Sequence, residues 1–187
     1  VIGSYFGDGG LGCTGSRTKS YRVRWTHGIR QEAYCRCKTS MHGGNCTDVE
    51  SNGFSGKPAV VGRSAVFQLP GHIGPGGRWV KKDGVPSWMC KMADARALAI
   101  WVMDDGSYSG GGICLHTEGF SERGVSALQR MLRSRFGIRS KRAFSKGWYI
   151  RIGVVHARKV YELVRPYIRP EFLYKFGITE SNQTTAP

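Results

Sequence analysis

Two short apolar segments, each ending in an acidic residue followed by glycine, constrain this chain most. Val1 to Gly9 reads VIGSYFGDG, and Leu98 to Gly106 reads LAIWVMDDG. Apolar residues packed that densely suit a buried helix, and the glycine can take the left-handed conformation that ends one. The segments lie about a hundred residues apart, a spacing that means two related halves and not a solenoid. An acid at a helix C-terminus opposes the helix dipole, so structure alone is a poor reason to place one there twice.

The charge narrows the partners. The 187 residues carry 28 Lys and Arg against 13 Asp and Glu, a formal net charge of +15, with a pI near 9.9. A polyanion relieves such self-repulsion. The basic residues are spread along the whole chain, so nucleic acid is the leading partner class. A hydrophobic fraction of 40% suits a folded core. There is no basic amphipathic anchor helix and no apolar run long enough for a bilayer, so no membrane partner is expected. No secretory signal is present, and the chain begins at Val1 inside the first apolar segment. Its natural start is therefore expected upstream, or to have been processed away.

Cys13, Cys35, Cys37, Cys46, Cys90 and Cys114 include no CxxC pair. Cys35 and Cys37 fall two apart in a region that reads helical, so they point to different faces. Reduced, partly buried thiols are expected. A zinc site from Cys13, Cys35, Cys37 and Cys46 is the alternative, with poor spacing.

Within Lys19–His27, Tyr21, Val23 and Trp25 alternate with Arg22, Arg24 and Thr26, the period of a half-buried strand with a basic face. Residues 28–41 are predicted as a helix. Residues 41–57, rich in Gly, Asn and Ser, are predicted as a loop, 58–69 as a strand region and 70–77 as a loop crossing between halves. In the second half Gly110–Gly112 predict a turn and Ile113–Thr117 a strand. Ser121 caps a helix to about Phe136, with Val125, Leu128, Leu132 and Phe136 at helical spacing and Gly137 ending it. Arg142–Ile152 predicts a strand or hairpin, and His156–Tyr167 a last helix punctuated by Pro166 and Pro170. A further strand near Tyr108 would make the order helix, two strands, helix, two strands, helix. The predicted organisation is an N-terminal half over 1–69, a connector over 70–94, a C-terminal half over 95–177 and a polar tail over 178–187.

With these residues in place, the paired segments resemble the two motifs of the LAGLIDADG homing endonuclease family. WVMDDG preceded by LAI is similar to the form in single-chain, two-motif meganucleases of the intron-encoded type. The resemblance continues through VKKDGVP, the helix Ser121 to Phe136, SKGWYIRI and RPYIRPEFLYKFG. It is good from Lys81 to Gly177 and thinner from Val1 to Leu69. It implies an α+β fold of two pseudo-symmetric αββαββα halves, with the motif helices paired at the interface and antiparallel sheets forming a DNA-binding saddle. It also implies a monomeric, metal-dependent DNA endonuclease, a hydrolase of phosphodiesters that cuts a long asymmetric duplex site and leaves short 3′ overhangs.

Phosphodiester hydrolysis needs an activated water, stabilised negative charge and a helped leaving group, which two or three Mg2+ ions can supply, with Mn2+ as a substitute. Magnesium takes hard oxygen ligands and keeps several waters, so one carboxylate from each half is enough. Asp8 and Asp105 are the candidate catalytic acids and metal ligands, with Gly7 and Asp104 beside them in the metal set and Asp104 in support. Gly3 and Gly7 are small enough for close helix approach, a part that Ala99 plays less fully beside Trp101. The resemblance implies one basic residue per half near the acids. By position these are Lys82, with Lys81 a close competitor, and Lys146, which could orient water or stabilise transition-state charge.

The strands are implied to read the major groove of double-stranded DNA. Candidate DNA-binding residues are Arg17, Lys19, Arg22 and Arg24 in the first half and Lys141, Arg142 and Arg151 in the second, with phosphate and base contacts undivided. His27, His42, His72, His116 and His156 show no HNH-like spacing, so spacing gives no histidine a role. The rival reading is a LAGLIDADG-derived binding protein without cleavage, a splicing maturase or structural RNA-binding component with intron RNA as its partner. The presence of both acids favours the nuclease. Family habit points to an intron or intein origin in an organelle, bacterium or phage, and so to an intracellular protein.

Overall fold

The computed structural model describes residues 1–13, 20–49, 56–68 and 84–179. They form two compact units, one built from described residues up to 68 and the other from those from 84 onward.

The first unit opens with α1 (Ile2–Phe6), in which Gly3, Ser4, Tyr5 and Phe6 are buried. β1 (Gly10–Cys13) and β2 (Ser20–Gly28) follow. A 3-10 turn (Ile29–Gln31) then leads into α2 (Glu32–Met41), β3 (Asn45–Val49), β4 (Ala59–Arg63) and β5 (Phe67–Gln68). The sheet is antiparallel throughout, in the order β1-β2-β4-β3, with β5 pairing the start of β2. Strand β2 sets the layering: Tyr21, Val23, Trp25 and His27 are buried while Arg24 and Thr26 are exposed, as the two-residue period of a strand requires. Helix α2 covers the buried face with one stripe of Tyr34, Cys35, Lys38 and Thr39. Gly62 lets β4 pass close beneath this layer, because a Cβ there would collide with the Trp25 indole and the Thr39 hydroxyl.

The expected loop over residues 41–57 is corrected in part, since Asn45–Val49 is a strand. β3 lies at the end of the sheet order. An edge strand needs little apolar alternation, so the polar run Asn-Cys-Thr-Asp carried no strand signal.

The second unit contains α3 (Ser87–Met92), α4 (Ala95–Asp105), β6 (Gly106–Ser109), β7 (Gly112–Leu115), α5 (Glu122–Phe136), β8 (Lys141–Phe144), β9 (Trp148–Ile152), α6 (Val154–Val164) and a 3-10 helix (Pro170–Phe176). Its sheet runs β6-β7-β9-β8, the same topology as β1-β2-β4-β3, so the duplication read from the two Asp-Gly segments extends to the sheets. Local rules define its ends. The Asp94 carboxylate accepts the Ala97 N–H at 2.7 Å and caps α4. Ser121 accepts the Gly124 N–H at 3.2 Å and caps α5, and Gly137, at φ 63°, closes it. Gly110 and Gly111, both at positive φ, make the tight turn of the β6–β7 hairpin. Ala97 to Met103 of α4 are all buried, which marks a core helix apolar on every side.

No helix among the described residues is long and apolar enough to cross a membrane. The predicted crossing loop over 70–77 and the tail beyond Thr179 lie outside the described residues.

Candidate functional site

Both acidic helix ends stop without a left-handed glycine, contrary to the expectation from Asp-Gly. Gly7 caps α1 at φ −90°, ψ −131°, and Gly106 caps α4 at φ −80°, ψ 149°. Gly9 has no positive φ either. What requires glycine is close approach of the returning chain. The Gly9 N–H donates to the Ser4 carbonyl at 2.5 Å. A Cβ on Gly9 would strike that carbonyl, and one on Gly106 would strike the carbonyl of Val102.

In the first unit Asp8 follows the Gly7 cap of α1, with its side chain 36% exposed. Its Oδ2 lies 3.5 Å from Nδ1 of His27, whose own side chain is 2% exposed. The same Nδ1 is 3.2 Å from Gln31 Oε1. On the other edge of the ring, Nε2 is 3.4 Å from Lys38 Nζ. Lys38 is wholly buried, with its ammonium 5.0 Å from the Trp25 ring centroid and 5.4 Å from that of Tyr34. A histidine that spacing left without a role therefore faces the first acid. The available signal was its place in β2, where alternation puts it with Tyr21, Val23 and Trp25 on the covered face.

In the second unit Asp104 and Asp105 end α4, both partly exposed. The Asp105 carbonyl accepts the His116 N–H at 2.9 Å. The His116 ring lies between the Ser107 hydroxyl, 2.9 Å from Nε2, and Glu118, whose Oε1 is 3.1 Å from Nδ1. Lys175, from the 3-10 helix, is buried and donates to the carbonyls of Met103 at 2.5 Å and Asp104 at 3.2 Å. Two acids at a helix C-terminus stand against the dipole, and a cation on the last carbonyls offsets them. Lys175 belongs to RPYIRPEFLYKFG, which had been read only for its resemblance. Lys146 is exposed in the turn between β8 and β9. Lys81 and Lys82 lie outside the described residues.

The open faces of the sheets carry the basic residues. Arg24 of β2 stands opposite Arg63 of β4. Lys141 of β8 stands opposite Arg151 of β9, which stands opposite Cys114 of β7. Like charges placed directly opposite destabilise a sheet, so these pairs make a place for an anion. Lys141, Arg151, Arg139 and His156 also line a cleft of about 660 Å³. Arg142 does not join this row. It pairs with Ile150, which is buried, and its guanidinium reaches Glu122 at 3.3 Å and Ser126 of α5. Arg22 is half-buried, and Arg17 and Lys19 lie outside the described residues. Arg63 and Arg139 were not among the sequence candidates.

The Cys35 and Cys46 sulfurs are 3.8 Å apart, and the Cys35 thiol faces the Val60 carbonyl. Burial pushes the Cys35 thiol up to about 12. Among the described residues no cysteine joins a set of three metal-ligating groups. The carboxylates instead offer hard, partly exposed oxygens, a donor type that fits magnesium.

Residues 78–159 match the model of the LAGLIDADG DNA endonuclease family. The chain is 35% identical over 88 residues to an intron-encoded endonuclease of Dictyostelium discoideum, covering 46% of this chain and 55% of that one. It is 28% identical over 198 residues to a RecA protein of Mycobacterium shimoidei, covering 94% and 45%. It is 30% identical over 106 residues to the cytochrome b mRNA maturase bI2 of Debaryomyces hansenii, covering 51% and 38%. The chain thus spans about half the length of the curated relatives it matches. The homing endonuclease I-WcaI, solved bound to its DNA recognition sequence, aligns with a TM-score of 0.70 at 20% identity, over 94% of this chain and 83% of that one. It shares the fold. Over residues 78–159 this chain is thus similar to the LAGLIDADG DNA endonuclease family.

Proposed function

We propose that the chain is a site-specific DNA endonuclease that acts as a monomer and makes magnesium-dependent double-strand breaks in a long asymmetric target, leaving short 3′ overhangs. The observation that carries this reading is common to both units. Each has a partly exposed acid at the end of its motif helix and a sheet whose open face sets cations in opposed pairs. Asp8 in the first unit and Asp105 in the second are the proposed metal-holding carboxylates, with Gly7 and Asp104 adjoining. Magnesium, or manganese in its place, supplies an activated water and stabilises charge on the phosphate when bound. Arg24, Arg63, Lys141 and Arg151 neutralise backbone phosphates or reach base edges in the major groove. Lys175 neutralises the end of α4, while Lys82 and Lys146 are the basic residues proposed to stabilise developing charge. The two sheets differ in their residues, which suits an asymmetric site.

The runner-up is intron-RNA binding in splicing, favoured by the likeness to a cytochrome b mRNA maturase. Cleavage selection on a randomised duplex library, in Mg2+ and in Ca2+, separates the two. The expected result is Mg2+-only cutting at one long motif, abolished in Asp8→Asn and in Asp105→Asn and weakened in Asp104→Asn. Salt-sensitive binding without cutting, together with tight intron-RNA binding, would move the chain to the second reading.

A further inference from the structure

We propose that Cys35 and Cys46 are a site of reversible oxidation, at which hydrogen peroxide joins the two thiols in a disulfide that ties the edge strand β3 to α2. The site lies within the first unit and is independent of the endonuclease reading.

The spacing of the cysteines gave no reason to join any two, but the packing does. Cys35 lies on the stripe of α2 that covers the sheet, and Cys46 lies in β3. The two elements approach within 8 Å at their Cα atoms, and the two sulfurs are 3.8 Å apart. Cys46 pairs with Gly62 of β4, a neighbour without a side chain, and its thiol donates across to the Thr39 hydroxyl of α2 at 3.1 Å. The thiols differ in access. Cys35 is wholly buried and donates to the Val60 carbonyl at 3.6 Å, and burial pushes it up to about 12. Cys46 is part-exposed. Access therefore sets the order of events. The Cys46 sulfur attacks one peroxide oxygen. An S–O bond forms, the O–O bond breaks, and the departing hydroxide takes the proton that Cys46 gives up and leaves as water. The Cys35 sulfur then attacks the Cys46 sulfur. An S–S bond forms, the S–O bond breaks, and hydroxide leaves as a second water with the Cys35 proton. The two thiols lose two electrons and the peroxide gains them. Closing to a bond of about 2.05 Å needs the Cys46 thiol to swing off Thr39. The link spans 11 positions and fastens a strand that ends the sheet order and is held there by β4.

The test treats the full chain with hydrogen peroxide, folded and in urea, then alkylates the remaining thiols and maps the peptides by mass spectrometry. The folded wild type is expected to give the Cys35–Cys46 link as its main disulfide, two hydrogens lighter than the reduced pair and reopened by dithiothreitol. In urea that preference should disappear. Opening the link should take about tenfold more dithiothreitol in the folded protein than in urea. The oxidised wild type should melt several degrees above the reduced one, a rise absent from Cys46→Ser. Cys35→Ala, which lacks the second thiol, should hold Cys46 as a sulfenic acid that dimedone traps, and Cys46→Ser should leave Cys35 unoxidised. Cysteines joined at random in the folded wild type overturn the proposal, as does a Cys35–Cys46 link that forms only in urea. So does an oxidised wild type that melts no higher than the reduced one. The wild-type map and melts decide the matter even where a variant does not fold, and the presence or absence of duplex cutting bears on the endonuclease reading alone.

Discussion

Arg24 on β2 stands directly opposite Arg63 on β4, so two guanidinium groups share one row across the first sheet. Lys141 and Arg151 repeat the arrangement on the second. In water such neighbours repel, and the repulsion turns favourable only when a polyanion lies across them.

Removing one member should therefore separate stability from binding. Arg24→Ala should raise the stability of the free protein by about 0.2–1 kcal/mol and lower the slope of log affinity against log salt by about one. Arg142→Ala should leave that slope unchanged, because its guanidinium is engaged with Glu122 and Ser126. Thermal melts and duplex binding in Ca2+ across a salt series measure both effects.

The two motif glycines should be intolerant of alanine. In Gly9→Ala and Gly106→Ala the new methyl meets a backbone carbonyl, of Ser4 and Val102 respectively, which a side-chain rotation cannot relieve. Each should cost about 1–3 kcal/mol. Gly12→Ala meets nothing within 4 Å and should change stability by less than about 0.5 kcal/mol. Urea unfolding of the three variants checks this, and equal behaviour of Gly9→Ala and Gly12→Ala would refute it.

Lys175→Met should weaken the second half. It removes the donor to the Met103 and Asp104 carbonyls, at a cost of about 1–3 kcal/mol. It also removes a cation from the acidic end of α4, so cutting should fall further than the loss of stability accounts for. Denaturant unfolding beside single-turnover cleavage at a temperature well below both melting points separates the two effects.

Alkaline pH should destabilise the first half through Cys35. Its thiol is raised from 9.0 to about 12 by burial, so the unfolded chain loses this proton first. The stabilisation is complete below pH 9.0 and declines as pH rises towards about 12, with a slope of at most about 1.4 kcal/mol per pH unit. Cys35→Ala should flatten that slope, as measured by urea unfolding between pH 8 and 11. The native thiol should also resist alkylation until the chain unfolds.

Much of the fold was legible where the rule is local. The Ser121 cap, the Gly137 stop and the alternation in β2 each depend on residues within a few positions of one another. β3 was missed because an edge strand can be polar. The left-handed stop expected at Asp-Gly was wrong because crowding by Ser4 and Val102, not a dihedral preference, selects glycine there.

By itself the amino-acid sequence determined that the chain is a duplicated, strongly basic protein with an acid after each apolar helix. These properties follow from composition, period and neighbouring residues. Tertiary structure alone decided what stands around those acids. His27 reaches Asp8, Lys38 reaches His27 across 11 positions, and Lys175 reaches Met103 across 72. It also decided that Arg63 joins Arg24 while Arg142 turns to α5. Strand register and helix packing set such pairings, and these depend on how distant segments fit together, which no local pattern records.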